Sequence, residues 1–396
     1  MNSGKGYGGP TSFLFYLLSS LNRERFTPSV AFYFYDAGPD IDRIRTIGVP
    51  IYFLDPKQDP DRYVAVKWLL SESRSKFVQF SKVVLKSLLK MATVDIPACL
   101  KLRRLIRQKK IHAVVLNNDV HYHVAGVLGT KLAGVPCICR KAGGIGEGKL
   151  YKKYLTPLVS LFIAVSRATE EDQRMNNPGT KKLAFVHEGI DLNLFAVPQK
   201  HLGLKAQLGI PESRKIVMNV SRLVAGKGHW ELLDAAARVI KEYPEVVFVI
   251  VGDGLMMDAL KERAGQLRLS NHLIFTGWRN DAPAVLSIAD IFVHCPTSCL
   301  EGLGIANLEA MAMRKPTIVS ANGGLPDAVI DGVTGYIVPP GDDRKLAAAI
   351  IRLLKDERLA EQLGENARKR VETYFDIRKN ARRLEGLFAT TVETNL

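Results

Sequence analysis

The sequence has little of what marks disulfide-rich, secreted or membrane-spanning proteins. Only 5 of its 396 residues are cysteine, which indicates a reducing compartment rather than a disulfide framework. No uninterrupted apolar run approaches the roughly 18 residues of a membrane-spanning helix. The amino terminus also lacks the basic, apolar and cleavage regions of a signal peptide. We therefore expect buried thiols and a cytoplasmic location.

Acidic residues are scarce in one stretch. The chain has 55 Lys and Arg against 40 Asp and Glu, a net charge of +15. The range 62–110 holds 13 basic and 2 acidic residues, so 11 of the 15 excess charges lie there. Lys82, Lys86 and Lys90 recur at helical spacing. Either this helix packs in the domain core with its lysines in water, or it contacts an anionic membrane, which we favour. Without a nucleic-acid-binding module, nucleic acid is not an expected partner.

A strand is also lacking where a glycine motif would need one. The segment 4–9, GKGYGG, matches the G-x-G-x-x-G dinucleotide fingerprint, which requires a preceding strand. Only three residues precede Gly4, and Asp36 lies 27 residues after Gly9, beyond the usual spacing of about 20 for a ribose-binding acid. We interpret the match as accidental and do not favour an NAD or FAD oxidoreductase.

What the sequence does contain is an alternation of apolar strands and amphipathic helices. Strands are predicted, among others, at 112–118, 161–166, 215–221 and 246–252. Ser166 is predicted to cap the helix that follows it, and Gly134 is predicted to close another helix. Because these strands are apolar almost throughout, they indicate parallel sheets covered by helices on both faces. A nonperiodic, Pro-bearing stretch at 196–212 is typical of a linker. The pattern predicts two doubly wound α/β domains, 1–200 and 201–375, with a ligand in the cleft at the carboxyl ends of the strands.

Two loops of the second half place functional residue types where strands run into helices. Arg222 follows a strand and Lys227 stands at the mouth of a helix, an arrangement that suits a diphosphate; the alternative is a solvated pair of cations. Gly252 lies in a strand–Gly-Asp-Gly–helix turn, whose glycines serve either the tight turn alone or contact with a nucleotide.

A third loop carries two carboxylates. Glu301 precedes a helix that is predicted to open near Ile305, and Glu309 lies on its first turns. Gly302 and Gly304 separate them, so that backbone amides at the helix start point toward the cleft. Carboxylates at such spacing are usually solvated, but the glycines and the apolar helix face favour a binding site here.

These motifs occur in a family-specific order. The strings S-R-x-x-x-x-K-G, E-G-x-G-x-x-x-x-E-A-M-A, G-G-L-P-D and D-G-x-x-G-Y-x-V-P-P-G-D lie between Ser221 and Asp342. Together they resemble the donor-binding domain of the retaining glycosyltransferases of family 4, which have the two-domain GT-B fold. The strings at 164–168 and 187–195 are similar to further landmarks of that family. The resemblance implies hexosyl transfer from a nucleotide-sugar to a hydroxyl of a lipid-linked or polysaccharide acceptor, at the cytoplasmic face of the cell membrane.

The resemblance also implies roles for individual residues. Arg222 and Lys227 would neutralise the donor diphosphate, Glu309 would bind the ribose hydroxyls and Glu301 would contact the transferred sugar. Glu301, Arg222 and Lys227 form the predicted catalytic group, with no metal and no cofactor. The predicted donor-binding residues are Arg222, Lys227, Gly252, Glu301, Gly302, Gly304, Ile305, Ala306 and Glu309. The D-x-D strings at 40–42 and 59–61 are interpreted as turn acids.

The amino-terminal side departs from the family pattern. Gly8 and Gly9 resemble the acceptor-side glycine loop, but the first strand that normally precedes it is expected to be missing. Where members often carry a histidine at a strand end, this chain has Asn118, with His121 and His123 shortly after. These five residues are predicted to lie on the acceptor side of the cleft.

The departures leave alternatives open. Arg140 and Lys141 stand where many members have His-Gly, and their basic, Gly-rich loop would suit an anionic acceptor. A catalytically inactive nucleotide-sugar-binding or scaffold protein of the same fold is the alternative function, and an epimerase or phosphorylase is less favoured. A carboxy-terminal helix within 376–396 is expected to cross back onto the first domain.

Overall fold

The computed structural model describes residues 8–34, 39–55, 90–143, 149–177, 179–196, 203–298 and 301–395. Within these residues the strands, labelled β1 to β12 in chain order, are Val30–Phe34, Ile51–Asp55, Val114–Leu116, Cys137–Lys141, Leu161–Ala164, Leu183–Phe185, Lys215–Val220, Val246–Val251, Leu273–Gly277, Ile291–His294, Thr317–Ser320 and Gly335–Val338.

The helices of the described residues, labelled α1 to α15 in chain order, are Gly9–Ser20, Pro39–Arg45, Ile96–Gln108, Val124–Ala133, Lys149–Leu155, Arg167–Asn176, Leu204–Gln207, His229–Glu242, Met257–Gln266, Ala282–Ser287, Ile305–Ala312, Leu325–Ala328, Asp343–Lys355, Glu357–Tyr374 and Ile377–Glu393. A π-helical turn, Met91–Asp95, leads into α3, and short 3-10 turns span Val120–Tyr122 and Thr156–Leu158. None of the helices among these described residues combines the length and the apolar character that a transmembrane span requires.

The carboxy-terminal half forms one parallel six-stranded sheet. Its strand order is β12-β11-β10-β7-β8-β9, and all pairs between neighbours are parallel. Strand β7 is thus flanked by β8, its successor, and by β10, which begins the other half of the sheet. The strand order thus reverses its direction between β7 and β10. In doubly wound sheets such a reversal is the switch point, where ligands bind at the carboxyl ends of the strands.

The amino-terminal strands fall into two parallel sheets, β1-β2 and β3-β4-β5-β6. In a doubly wound order, one more strand would lie between β1 and β3. Among the described residues no strand occupies that place, which is where the missing first strand was expected. Side chains bridge the two sheets instead: Tyr33 of β1 and Val114 of β3 pack against the same apolar cluster.

The predicted helix signals act as expected. The Ser166 hydroxyl accepts a hydrogen bond from the Thr169 amide and starts α6 with a capping box, which satisfies amides that the helix leaves unpaired. Gly134 ends α4 in the left-handed conformation at φ 77°, where glycine avoids the strain of a Cβ atom. Both boundaries were predicted from the sequence.

The carboxy-terminal helix α15 is fastened to the amino-terminal half. Ile377 donates its amide to the Ile190 carbonyl at 3.0 Å, and Ile190 donates to the Phe375 carbonyl at 2.9 Å. Leu384 of α15 lies in one buried cluster with Phe13 of α1. The last helix therefore packs against the first. The domain limits 1–200 and 201–375 stay a prediction.

The cysteines of the described residues are buried thiols, as expected. Cys99, Cys137, Cys139 and Cys295 are free and buried, and Cys299 lies outside the described residues. Burial raises the pKa of the Cys137 thiol to about 12. A thiol with such a pKa is not ionised at neutral pH and is therefore a poor nucleophile or metal ligand.

Gly364 provides a test of the packing of α14 beside α11. A Cβ atom at Gly364 would lie 2.1 Å from the carbonyl oxygen of Arg314, so we expect Gly364→Ala to lower the free energy of unfolding by about 1–3 kcal/mol. At Gly386 of α15 a Cβ atom meets nothing within 4 Å, and Gly386→Ala should raise the same quantity by up to about 1 kcal/mol. Urea denaturation measures both, and an unchanged Gly364→Ala variant would contradict this packing.

Candidate active site

The predicted cationic and acidic residues meet at the switch point of the second sheet. Arg222 follows the end of β7, and the chain after β10 leads to Glu301, just before α11. Because β7 and β10 are neighbours, their carboxyl ends bring the two loops together. The Lys227 ammonium forms an ion pair with one Glu301 carboxylate oxygen.

The Lys227–Glu301 pair is largely withdrawn from water. The side chains are 20% and 11% exposed. Burial, and next to it the charge of Arg222, lowers the pKa of Lys227 to about 8. Arg222 itself is exposed. Two cations are thus held side by side, and a single carboxylate compensates them in part.

The turn at Gly252 supports the loop that carries Arg222. Gly252 has φ 144°, and a Cβ atom there would lie 1.9 Å from the Ser221 carbonyl oxygen. The Leu223 amide donates to the Asp253 carbonyl at 2.9 Å. Glycine is therefore required so that the two loops can approach each other. Direct donor contact by Gly252 stays a prediction.

A polar network that the sequence reasoning missed lies behind Lys227. Asn219 donates through Nδ2 to a backbone carbonyl, so its Oδ1 accepts from the Ser221 hydroxyl at 2.8 Å. The Ser221 oxygen, 2.9 Å from His229 Nε2, then accepts from that nitrogen, which assigns the ring proton to Nε2. Burial lowers the pKa of His229 to about 4, so the ring is neutral at neutral pH.

His294, the last residue of β10, lies behind Glu301. Its Nε2 is 3.6 Å from Glu301 Oε2, and within the described ranges neither ring nitrogen has a hydrogen-bond partner. Burial, followed by the charge of Lys227, lowers the pKa of His294 to about 3. The sequence offered one signal for this residue, a histidine at the end of the otherwise apolar strand IFVH.

The amino end of α11 forms the floor of this region. Gly304 precedes the helix at φ 71°, and its carbonyl accepts from the Asn307 amide at 2.9 Å. The amides of Ile305 and Ala306 come before the first helical hydrogen bond, and such amides point out of the amino end of a helix. Gly302 packs closely against the first domain, since a Cβ atom there would lie 2.5 Å from the Ala142 carbonyl oxygen.

Glu309 is buried where the two halves of the molecule meet. It is 6% exposed, and one carboxylate oxygen accepts a hydrogen bond from the Tyr16 hydroxyl of α1 at 2.6 Å. Burial raises the pKa of Glu309 to about 7, and Tyr16 and Arg43 act in the opposite direction. The contribution of Tyr16 was not anticipated, because nothing in the sequence of α1 marks it.

The predicted glycine loop lies against the predicted donor residues. A Cβ atom at Gly8 would stand 3.6 Å from Arg222 Nε, and one at Gly9 would stand 3.5 Å from Ile305 Cγ1. Asn117 fixes the start of α1 by donating through Nδ2 to the Pro10 carbonyl at 2.8 Å. The asparagine that contacts this loop is therefore Asn117, whereas the sequence predicted its neighbour Asn118 on the acceptor side.

The other predicted acceptor-side residues lie around Asp119. The Asn118 side-chain oxygen accepts from the Asp119 amide at 2.9 Å. His121 Nδ1 is 3.9 Å from Asp119 Oδ2, and the His123 ring lies 5.9 Å from that of Tyr33. Burial lowers the pKa of His123 to about 4. A role for these three residues in acceptor binding stays a prediction.

The interpretation of Arg140 and Lys141 as cations for an anionic acceptor is wrong. Strand β4, which carries both, is buried along its whole length. Arg140 pairs with Glu188 and Lys141 with Asp172. Both charges are compensated inside the domain, so neither faces a ligand.

Of the two acidic strings of the amino-terminal half, the one at 40–42 is described, and it lies on α2 rather than in a turn. Asp42 forms an exposed ion pair with Arg45 at 2.6 Å, and the string at 59–61 lies outside the described residues. Among the residues that are described, no group of three or more His, Cys, Asp or Glu is arranged to hold a metal ion. Metal-independent transfer stays a prediction.

The raised pKa of Glu309 predicts a pH-dependent stability. With a pKa of about 7 in the folded protein against an ordinary 4.5, the carboxyl group binds its proton more tightly when folded. This stabilisation is complete below pH 4.5 and is lost as the pH rises through 7. We expect the free energy of unfolding of Glu309→Gln, measured relative to that of wild type, to rise by up to about 3 kcal/mol from pH 5 to pH 8.

Chemical denaturation at the two pH values measures this difference. Glutamine keeps an acceptor for the Tyr16 hydroxyl, so the comparison isolates the charge. Glu361→Gln, on the exposed side of α14, controls for the loss of one carboxylate. The same pH dependence in Glu309→Gln and wild type would show that Glu309 does not carry the shifted pKa.

The second half of the chain matches a known protein family in sequence. Residues 203–370 match the family model described as glycosyl transferases group 1. The UDP-Gal:alpha-D-GlcNAc-diphosphoundecaprenol alpha-1,3-galactosyltransferase of Escherichia coli is 27% identical over 317 residues, which are 75% of this chain and 80% of the relative. The GDP-mannose-dependent alpha-(1-6)-phosphatidylinositol monomannoside mannosyltransferase of Mycolicibacterium smegmatis is 33% identical over 190 residues, 46% of this chain and 50% of the relative. This chain thus matches about half the length of the second relative.

Solved structures share the fold across most of the chain. The structure of Anabaena HepE in complex with UDP and glucose matches this chain with a TM-score of 0.80 at 21% identity. The match covers 98% of this chain and 98% of HepE. The sucrose-phosphate synthase of Thermosynechococcus elongatus gives a TM-score of 0.67 at 23% identity, over 77% of this chain and 80% of that one. Residues 203–370 of this chain therefore match the glycosyl transferases group 1 family, and the chain has the two-domain GT-B fold.

Proposed function

We propose that this protein is a retaining glycosyltransferase that moves a sugar from a nucleotide-sugar to a hydroxyl of a lipid-linked or polysaccharide acceptor. One observation carries the proposal. The Lys227–Glu301 ion pair and Arg222 lie at the switch point of the second sheet, and the Gly8–Gly9 loop of the first domain reaches Arg222 and the start of α11. Donor and acceptor sides thus meet at one place.

Ion-pair exchange is the basis of donor binding. A diphosphate that reaches Lys227 replaces Glu301 as the partner of the ammonium group and also meets the exposed guanidinium of Arg222. Glu301 is then released to accept hydrogen bonds from hydroxyls of the transferred sugar. Because the two cations are already in place, they stabilise the negative charge that develops on the leaving phosphate.

Transfer with retention requires no further base from the protein. The bond between the anomeric carbon and the donor phosphate oxygen breaks as the acceptor hydroxyl oxygen attacks from the same face. The hydroxyl proton passes to the leaving phosphate. Arg222 and Lys227 hold that phosphate at the site of reaction, and they supply the positive charge that a metal ion provides in other transferases.

The relatives support a lipid-linked acceptor but leave the donor base open. One is named for a diphosphoundecaprenol-linked acceptor and a UDP-sugar, the other for a phosphatidylinositol mannoside and GDP-mannose. The acceptor of this chain is accordingly proposed to be a glycan on an amphiphilic carrier, reached at the cytoplasmic face of the membrane.

The described part of the basic stretch presents a surface suited to that location. Helix α3 buries Leu102 and Ile106 in the first domain. On its exposed side Leu100 is 51% exposed, followed one turn later by the exposed Arg104. Apolar and basic groups side by side favour the interface of an anionic bilayer. The predicted helix with Lys82 and Lys86 lies outside the described residues.

Donor binding tests the proposed site. We expect one of UDP-, GDP- or ADP-linked sugars to raise the unfolding midpoint of wild type. Lys227→Ala should weaken binding of that donor about tenfold or more, because a charge-assisted bond to phosphate is lost. Lys215→Ala is the matched control, since Lys215 stands at the opposite end of β7 and pairs with Glu357. Equal donor affinity of the Lys227→Ala and Lys215→Ala proteins would contradict the site.

Product analysis separates transfer from binding alone. A protein that binds a donor but moves no sugar to any lipid-linked or glycan acceptor would be the catalytically inactive alternative. The anomeric coupling constant in the proton spectrum of a product distinguishes retention from inversion, and activity in a chelator tests metal independence.

Flotation with vesicles tests the membrane contact. We expect vesicles rich in phosphatidylglycerol to capture the protein at low salt and to release it at high salt. The double variant Leu100→Ser, Arg104→Glu should bind such vesicles about tenfold more weakly, since it removes an apolar contact and reverses one charge. Leu132→Ser, at a residue 52% exposed on α4, is the control. Equal capture of all three proteins would contradict the assignment of this surface.

A further inference from the structure

Tyr16 contacts the nucleotide side of the cleft although it belongs to the first domain. Its side chain is fully buried, and its hydroxyl donates to Glu309 Oε1 at 2.6 Å, across 293 residues of sequence. Helix α1, which begins with the Gly8–Gly9 loop, thus carries a second contact to α11 about two turns further along.

The Tyr16 ring is held from several sides. The Phe195 ring packs edge-on against it at 6.4 Å between centroids, and Phe15 at 5.7 Å. The guanidinium of Arg43 lies 5.2 Å from the Tyr16 centroid. A hydroxyl on a ring fixed in this way has little freedom, so the hydrogen bond fixes the Glu309 carboxylate in turn.

The contact suits a carboxylate that binds a ribose. A carboxylate has two oxygens and only accepts hydrogen bonds, whereas ribose hydroxyls can donate. Tyr16 engages Oε1, which leaves Oε2 for a ligand. Because a hydrogen bond to an ionised carboxylate favours the ionised form, the same contact also keeps the buried group a better acceptor.

We propose that Tyr16 is a positioning residue of the nucleotide site, whose hydroxyl orients Glu309 toward the ribose hydroxyls so that both domains are needed to recognise the nucleotide. The inference rests on the proposed function, since it assumes that Glu309 meets a ribose. It adds a residue of the first domain to a site that the motifs confine to the second.

Titration calorimetry with paired nucleotides tests this role. The ligands are the tightest-binding of UDP, GDP and ADP, and its 2′,3′-dideoxy analogue, which has no ribose hydroxyls. We expect Tyr16→Phe to weaken binding of the ribonucleotide about tenfold and to leave binding of the dideoxy analogue within twofold of wild type. A merely structural defect would weaken both.

Tyr33→Phe is the matched control. The Tyr33 hydroxyl is also largely buried in the first domain, where it accepts a hydrogen bond from the Gly126 amide at 3.0 Å. Its loss should change the affinity for neither nucleotide. If Tyr16→Phe and Tyr33→Phe bind the ribonucleotide equally well, the inference is overturned while the proposed function stands.

A double-mutant cycle covers the case in which Tyr16→Phe perturbs the fold. In the Glu309→Ala background, which has no side-chain acceptor for the Tyr16 hydroxyl, adding Tyr16→Phe should change ribonucleotide affinity less than twofold, because the orienting effect acts through the carboxylate. Additive losses would overturn the inference alone. A wild-type protein that binds no ribonucleotide would overturn the proposed function and this inference together.

Discussion

Burial of charge where the two domains meet is the constraint on which the rest of the structure depends. An ionised group withdrawn from water is costly unless it is paired. Glu309, Glu301 and Arg140 are all buried near this junction, and each has a partner: the Tyr16 hydroxyl, the Lys227 ammonium and the Glu188 carboxylate. Tyr16 and Glu309 come from different domains, so the two domains together satisfy the buried carboxylate.

Apolar packing between α1, α11 and α15 surrounds these buried charged groups. The first and last helices share a cluster in which Phe13, Leu17, Leu384 and Phe388 are buried. The cluster also contains Ile305 and Leu308 of α11. The helix whose amino end is predicted to face the donor therefore packs against the helix that begins with the predicted acceptor-side loop. A shift of either helix would disturb the core as well as the site.

Sequence reasoning predicted the parts of the molecule whose signals are local. Helix α11 begins at Ile305 and α6 directly after Ser166, because glycine and serine act on the adjacent backbone. The motifs likewise identified Arg222, Lys227 and Glu301 as neighbours, since strand ends of a parallel sheet converge. Predicted strand ends were less accurate: the strand predicted at 112–118 is limited to Val114–Leu116.

The residues that were missed depend on tertiary contacts. Tyr16 is one aromatic among several on an apolar helix, and only the packing of α1 on α11 brings its hydroxyl to Glu309. Asn117 and Asn118 are adjacent, and strand geometry decides which side chain reaches Pro10. Arg140 and Lys141 looked accessible because a basic, Gly-rich segment is usually exposed, yet their strand lies in the middle of a covered sheet.

The separation of β1 from β3 has a consequence for how the protein behaves in concentrated solution. Within the described chain, each of these strands ends a sheet, and Val115 of β3 is 39% exposed. Unpaired backbone donors and acceptors along such an edge are a template for pairing with a strand of another molecule. In the described part of the chain, these two edges are therefore places where a further strand can pair.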